Sequence, residues 1–248
     1  MIPRVAIVTG GIGGLGIEIC RQLADSGRIV VAADLAAREE RIAQFRSGIV
    51  DYAGRIHFEP VDVADFDGCA ALATRVAHNL GPIDILVNAA GITRDATLRK
   101  MSPEQWRAVI GINLDGVFNM SRQVVDSMCE RGYGRIINIA SVNGQTGQFG
   151  QTNYSAAKAG MHGFSMALAR EVARKGVTVN SVSPGYCRTA LVASIPESVR
   201  NDIIARIPVG RLGEPSEIAR VVDFLAADAA GYITGANIPV NGGYFMDF

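Results

Sequence analysis

The sequence predicts an α/β protein: a single-domain, doubly wound, parallel seven-stranded sheet of the Rossmann type with helices on both faces. Three observations predict it. Short β-branched runs alternate with longer helical stretches from end to end, the pattern that βαβ units with right-handed crossovers produce. The short runs are nearly continuously apolar rather than alternating, as strands covered on both faces must be. A glycine-rich turn separates the first run from the first helical stretch, where such folds place a phosphate-binding turn.

In chain order, strands are expected at Val5–Val8, Ile29–Ala33, Ile56–Glu59, Ile83–Asn88, Arg135–Ile139, Val177–Val182 and Asn237–Val240. Leu15, Ile19 and Leu23 recur at i, i+4 and i+8 and mark the apolar face of the first helix. Ser102-Pro103-Glu104 opens another, with an N-cap serine followed by proline at the first helical position. Residues 186–215, with several prolines and weak periodicity, read as a loop or short-helix excursion over the carboxyl edge of the sheet, where α/β ligands bind. No repeat, linker or low-complexity tract interrupts the 248 residues, so one catalytic domain, 1–248, is expected.

Composition narrows the possible functions. At 48% hydrophobic and 19% charged residues the chain is not a disordered one. No apolar run approaches the ~18–20 residues of a membrane span, and no charged leader with a cleavage site precedes the first strand. The expectation is a cytoplasmic protein without a membrane partner. Basic and acidic residues balance at 24 each, which argues against nucleic acid as a partner. Of the basic residues, 21 are arginine and three are lysine, at 100, 158 and 175. Cys20, Cys69, Cys129 and Cys187 are widely spaced, with no neighbouring histidines in a ligand pattern. They read as structural thiols, and no metal site is expected.

Thr9-Gly10-Gly11-Ile12-Gly13-Gly14-Leu15-Gly16 follows the first strand and opens the first helix. Glycines there allow a tight turn and bring backbone N–H groups to a pyrophosphate at the helix N-terminus. Asp34 ends the second strand, 18 residues after Gly16. A carboxylate there accepts hydrogen bonds from an adenosine ribose and repels a 2′-phosphate. No arginine or lysine lies in the glycine turn, and Arg38 is the nearest downstream. These residues point to NAD(H) in preference to NADP(H). Asp62 and Val63, after the third strand, are placed for the adenine edge; Asp62 could equally cap the helix near Phe66.

Tyr154 and Lys158 are four apart in a helical stretch, so both side chains emerge on one face. A phenol has an ordinary pKa of ~10, and a nearby ammonium favours its anion. A phenol tuned in this way donates a proton to a carbonyl oxygen as hydride arrives, or removes one in reverse. Ser141, just beyond the fifth strand, can hydrogen-bond the same oxygen.

Thr9–Gly16, Asn88-Ala89-Ala90-Gly91, Asn113, Ser141, Tyr154–Lys158 and Pro184-Gly185 together resemble the short-chain dehydrogenase/reductase family over essentially the whole chain. The resemblance implies Tyr154 as general acid/base and Lys158 as the residue holding the nicotinamide ribose and lowering the tyrosine pKa. It implies Ser141 as the group orienting the carbonyl, and Asn113 as the support for a water in a proton relay. It implies Gly10, Gly14, Leu15, Gly16, Asn88 and Gly91 along the adenosine and pyrophosphate half. Ile139, Pro184, Gly185 and Thr189 would lie near the nicotinamide. Where the family often carries a second asparagine, this chain has Ala89.

A narrower resemblance rests on Gly91–Asp95, Arg99-Lys100-Met101, Ser141–Gln145, Gln148–Tyr154 and Ser183–Tyr186, which are similar to acetoacetyl-CoA reductases. It implies Gln148, Phe149, Gln151 and Tyr186 along an acyl and pantetheine path, with Asp95 shaping the pocket loop. Arg94, Arg99 and Lys100 either meet CoA phosphates at the cleft mouth or form a solvated helix face. The chain departs from those reductases at Cys187-Arg188-Thr189-Ala190, and at Asp34, since many of them prefer NADPH. The resemblance implies an NAD(H)-dependent reduction of acetoacetyl-CoA or a related 3-oxoacyl-CoA to the (R)-3-hydroxyacyl-CoA. The alternative, favoured by Asp34 and the altered 187–190 loop, is an NAD-dependent secondary-alcohol dehydrogenase acting on a small aryl or cyclic alcohol or ketone. A non-catalytic nucleotide sensor is the remote alternative. Family members are commonly tetramers, and the segments 104–131 and 154–175 resemble their packing faces.

Overall fold

The computed structural model describes residues 3–36, 39–193 and 195–246; Arg38 lies outside them. Seven strands form one parallel sheet: β1 (Val5–Thr9), β2 (Ile29–Asp34), β3 (Ile56–Pro60), β4 (Ile83–Asn88), β5 (Gly134–Ile139), β6 (Val177–Pro184) and β7 (Asn237–Val240). Their order is β3-β2-β1-β4-β5-β6-β7. Every expected strand is present, and several run one or two residues further. The helices are α1 (Gly16–Asp25), α2 (Glu39–Gly48), α3 (Phe66–Asn79), α4 (Pro103–Ile110), α5 (Gly116–Arg131), α6 (Asn143–Thr146), α7 (Thr152–Val172), α8 (Ala190–Ala193), α9 (Glu197–Ala205) and α10 (Pro215–Ala226).

The strands are largely apolar because successive residues serve two cores. On β1, Ala6 and Val8 pack with Ile19 and Leu23 of α1 and with Val222 and Leu225 of α10. Val5 and Ile7 point the other way, to Leu72 and Val76 of α3 and Met120 and Met128 of α5. Strand alternation thus divides one apolar run between the two faces of the sheet. β1 pairs with β2 on one side and β4 on the other. The chain therefore winds outward in both directions from β1, and the ends of β1 and β4 form the switch point where a ligand crevice opens.

The helix start at Ser102 takes the expected form. Ser102 Oγ accepts from Gln105 N–H at 3.2 Å and Gln105 Oε1 accepts from Ser102 N–H at 2.8 Å, a reciprocal cap with Pro103 at the first helical position. A one-turn π-helical widening at Gly111–Asp115, which the sequence pattern does not reveal, joins α4 to α5. The 186–215 excursion carries α8 and α9 over a small core of its own, built on Val192, Ile207 and Leu212. It is tied down by a Cys187–Gly213 bridge and an Arg188–Glu214 ion pair at 2.9 Å. All four cysteines are free thiols. Burial raises the pKa of Cys20, Cys69 and Cys187, the last to about 12, so these thiols stay protonated.

Candidate active site

A cleft of about 1260 Å³ runs along the carboxyl ends of the strands. It exceeds the ~300–1,000 Å³ of a typical small-ligand pocket, and one end is the glycine turn. Gly10 sits at φ +66°, and a Cβ on Gly16 would fall 2.1 Å from the Gly10 carbonyl oxygen. The turn therefore closes on itself only with hydrogen in place of a side chain. α1 starts at Gly16 with no side-chain cap; Ile17 N–H donates to Gly13 O at 3.0 Å, and Gly14, Leu15 and Gly16 line the cleft at this helix N-terminus, which suits an anion. Thr9 Oγ1 accepts from Ala89 and Ala90 N–H at 3.1 and 3.2 Å, locking the end of β1 to the turn after β4 beside the alanine that replaces the second asparagine. This cradle fits the pyrophosphate of a dinucleotide.

Gly10, Gly14, Leu15, Gly16, Asp34, Asp62, Val63 and Gly91 all line the cleft, as do Pro184, Gly185 and Thr189 at its far wall. The Asp34 carboxylate accepts from Leu35 N–H at 2.8 Å. Asp62 Oδ1 accepts from Ala64 N–H at 3.0 Å, folding the turn before α3, whose cap position is Asp65. Asp62 thus shapes that turn while facing the cleft. Arg41, overlooked in the sequence, also lines this end, with its guanidinium 3.5 Å from Ile12 O.

Two residues placed at the site by resemblance stand behind it instead. Asn88 does not face the cleft. Its Nδ2 donates to Asn138 Oδ1 at 2.8 Å and Ser121 Oγ at 3.3 Å, under the sheet on the α5 side. Asn113 is wholly buried in the π-helical turn. Its Nδ2 donates to Ile92 O at 2.8 Å and Val109 O at 3.0 Å, and its Oδ1 accepts from Ile92 N–H at 3.1 Å. The Asn113 side chain holds the Gly91-Ile92 wall, with both Nδ2 protons donated and Oδ1 able to accept one further hydrogen bond.

Ser141, Tyr154 and Lys158 come together at the other end. α7 delivers Tyr154 and Lys158 on one face, with the Lys158 ammonium 5.5 Å from the tyrosine ring centroid. Ser141 Oγ accepts from Asn143 N–H at 3.1 Å, and its side chain shares the cleft wall with the Tyr154 phenol. The expected electrostatics are reversed here. Burial dominates and raises the Tyr154 pKa above its ordinary value; the Ser141 hydrogen bond opposes this, and the Asp95 carboxylate adds to it. Lys158, only 4% exposed, donates to Ile139 O at 2.7 Å. Burial lowers its pKa to about 7, which weakens the positive charge expected beside the phenol.

That value sets a sign for stability. The unfolded lysine keeps its proton up to pH ~10.4, whereas the folded one loses it near 7. Between these values the unfolded state binds more protons, so this group's contribution to stability rises with pH, by at most about 1.4 kcal/mol per pH unit. Urea midpoints of wild type and Lys158→Met, compared from pH 7 to 9.5, should diverge in favour of wild type. A constant difference would mean that the buried lysine keeps its charge.

Among the substrate candidates, Asp95, Gln151 and Tyr186 line the cleft and Gln148 and Phe149 do not. Phe149 is 87% exposed, on the turn before α7. Arg94 lines the mouth, while Arg99 and Lys100 are exposed outside it. Sequence reasoning missed Asn153 and Asn143. Asn153 is buried beside Tyr154; its Nδ2 donates to Arg94 O at 3.1 Å and its Oδ1 accepts from Tyr154 N–H at 2.7 Å. A polar residue next to the catalytic tyrosine at a helix start is the signal that could have found it.

A doubly wound sheet with a glycine cradle at its switch point, continuous with a serine–tyrosine–lysine group, defines a dinucleotide-dependent oxidoreductase acting at a carbonyl or alcohol. The family model described as short chain dehydrogenase matches residues 4–200, and the chain belongs to that family. It is 56% identical to an acetoacetyl-CoA reductase of Allochromatium vinosum, over 99% of this chain and 100% of the relative. Identity to an acetoacetyl-CoA reductase of Rhizobium meliloti is 54% over the same shares. It is 44% to a 3-oxoacyl-[acyl-carrier-protein] reductase of Pseudomonas aeruginosa, over 98% of each chain. Among the described residues no helix is long and apolar enough to cross a membrane.

Proposed function

We propose that the protein is a cytoplasmic NAD(H)-dependent reductase that converts acetoacetyl-CoA and related 3-oxoacyl-CoA thioesters to (R)-3-hydroxyacyl-CoA. The observation that carries the reading is that Ser141, Tyr154 and Lys158 line the same cleft as the glycine cradle. Similarity along the full chain to acetoacetyl-CoA reductases supports the substrate. A nicotinamide dinucleotide, held by the Gly10–Gly16 turn, Asp34, Gly185 and Thr189, supplies the hydride. Tyr154 gives its phenolic proton to the carbonyl oxygen, which Ser141 holds by a second hydrogen bond. Lys158 lies on the same face of α7 to hold the ribose next to the reacting carbonyl. Asp95, Gln151 and Tyr186 line the acyl path, and Arg94 stands at the mouth to meet CoA phosphates.

Asp34 at the adenosine end supports NADH over NADPH, because its carboxylate repels a 2′-phosphate. The homotetramer assembles through the α4–α5 and α7 faces, where Trp106, Phe118 and Met166 are exposed. The reading predicts that kcat/KM for acetoacetyl-CoA greatly exceeds that for a short free β-keto ester, and that NADH outperforms NADPH. Equal values for the two substrates remove CoA recognition, and NADPH matching or exceeding NADH removes the role of Asp34.

A further inference from the structure

A second, smaller chamber of about 110 Å³ lies beside the reaction cleft, between the 207–213 segment, the end of β7 and the start of α10. Among the described residues, Tyr186 alone lines both spaces. Its backbone is fixed, because Tyr186 O accepts from Gly213 N–H at 2.9 Å. Its half-buried ring meets Tyr244 edge-on, with 5.5 Å between centroids.

The polar side chains of the chamber are already engaged. Glu217 accepts from Arg211 through both carboxylate oxygens at 2.8 Å, and from Glu214 N–H at 2.8 Å. Asn241 Nδ2 donates to Phe245 O at 2.8 Å, and its Oδ1 accepts from Gly243 N–H at 2.9 Å. The remaining side chains are aliphatic or aromatic: Ile207, Val209, Ile218 and Val240, with Tyr186 on the cleft side. Such a lining rewards burial of an alkyl group and disfavours a polar one, which would lose its hydration there. One water occupies ~30 Å³ in the liquid, so the chamber has room for a few carbon-sized groups.

We propose that Tyr186 is a specificity residue whose ring partitions this chamber from the reaction cleft, holding the enzyme to short acyl chains, and that the chamber takes the alkyl tail of a longer 3-oxoacyl substrate when the ring is removed. The proposal rests on the acyl-thioester reading above. The test uses the full chain and the ratio of kcat/KM for 3-oxohexanoyl-CoA to that for acetoacetyl-CoA. A buried methylene is worth about fourfold, so the two extra carbons should raise this ratio roughly tenfold or more in Tyr186→Ala. Adding Val240→Phe or Val209→Phe to Tyr186→Ala fills the chamber and should return the ratio towards the wild-type value. Val209 is 59% exposed at the rim, so its larger replacement is accommodated even where Val240→Phe prevents folding. An unchanged ratio in Tyr186→Ala overturns the proposal. So does a gain that survives the filling substitutions, because the tail then occupies only the space the ring vacated. The series is repeated with methyl 3-oxo esters of the same chain lengths. If the esters are reduced and the thioesters are not, the substrate assignment fails and the ester ratios decide the role of Tyr186. Turnover of neither series by any variant overturns both.

Discussion

Tyr154→Phe should lower kcat for carbonyl reduction by about 10³-fold or more while leaving binding of the reduced dinucleotide measurable. Removing a positioned general acid costs ~10²–10⁴-fold, and the phenol here lines the cleft together with Ser141. The substitution removes one oxygen and keeps the ring, so the packing of α7 is preserved. The dinucleotide cradle lies at the other end of the cleft, on residues that do not touch Tyr154. Steady-state kinetics beside fluorescence titration with the reduced dinucleotide separates the two effects. Turnover within tenfold of wild type would reject Tyr154 as the proton donor.

Gly16→Ala should be destabilising and should weaken dinucleotide binding by at least about 100-fold. At an ordinary helical position, glycine to alanine stabilises a helix by roughly 0.8–1 kcal/mol, so the expected sign is the reverse of the default. The reason is contact with backbone: the new Cβ would lie 2.1 Å from Gly10 O and 2.8 Å from Gly11 Cα. Neither atom can rotate away as a side chain would. The turn must open, at a cost of about 1–3 kcal/mol typical of overpacking, and the same movement displaces the N-terminus of α1 from the cleft. Thermal unfolding and calorimetric titration with the dinucleotide read the two consequences. A variant more stable than wild type with unchanged affinity would contradict the account of the turn.

The sheet was legible because the strand runs are mostly apolar and β-branched and alternate with longer helical stretches. The cradle was legible because turn, strand and helix stand in one order. What the sequence obscured is the direction in which particular side chains point. Asn88 belongs to an alternating strand on which Leu86 faces the α5 side, so period two places Asn88 there as well, bonded to Ser121 of α5. Resemblance outweighed that geometry. The hydrogen bonds of Asn113 were hidden for a different reason: the π-helical widening that turns its amide onto Ile92 leaves no trace in the hydrophobic pattern. Gln148 and Phe149 precede α7 on a turn held by Gly147 and Gly150, both at positive φ, and no periodicity predicts which way such a turn faces. The pKa relation between Tyr154 and Lys158 was reversed because charge proximity can be read from spacing, whereas burial cannot.

The central claim is that this cleft transfers hydride to the keto group of a CoA thioester. Purified wild-type protein with NADH and acetoacetyl-CoA, followed at the absorbance band of the reduced nicotinamide, tests it most directly. The account predicts steady loss of that absorbance, dependent on the thioester and matched mole for mole by 3-hydroxybutyryl-CoA. No loss of absorbance with either NADH or NADPH, from protein that binds the dinucleotide, would contradict it.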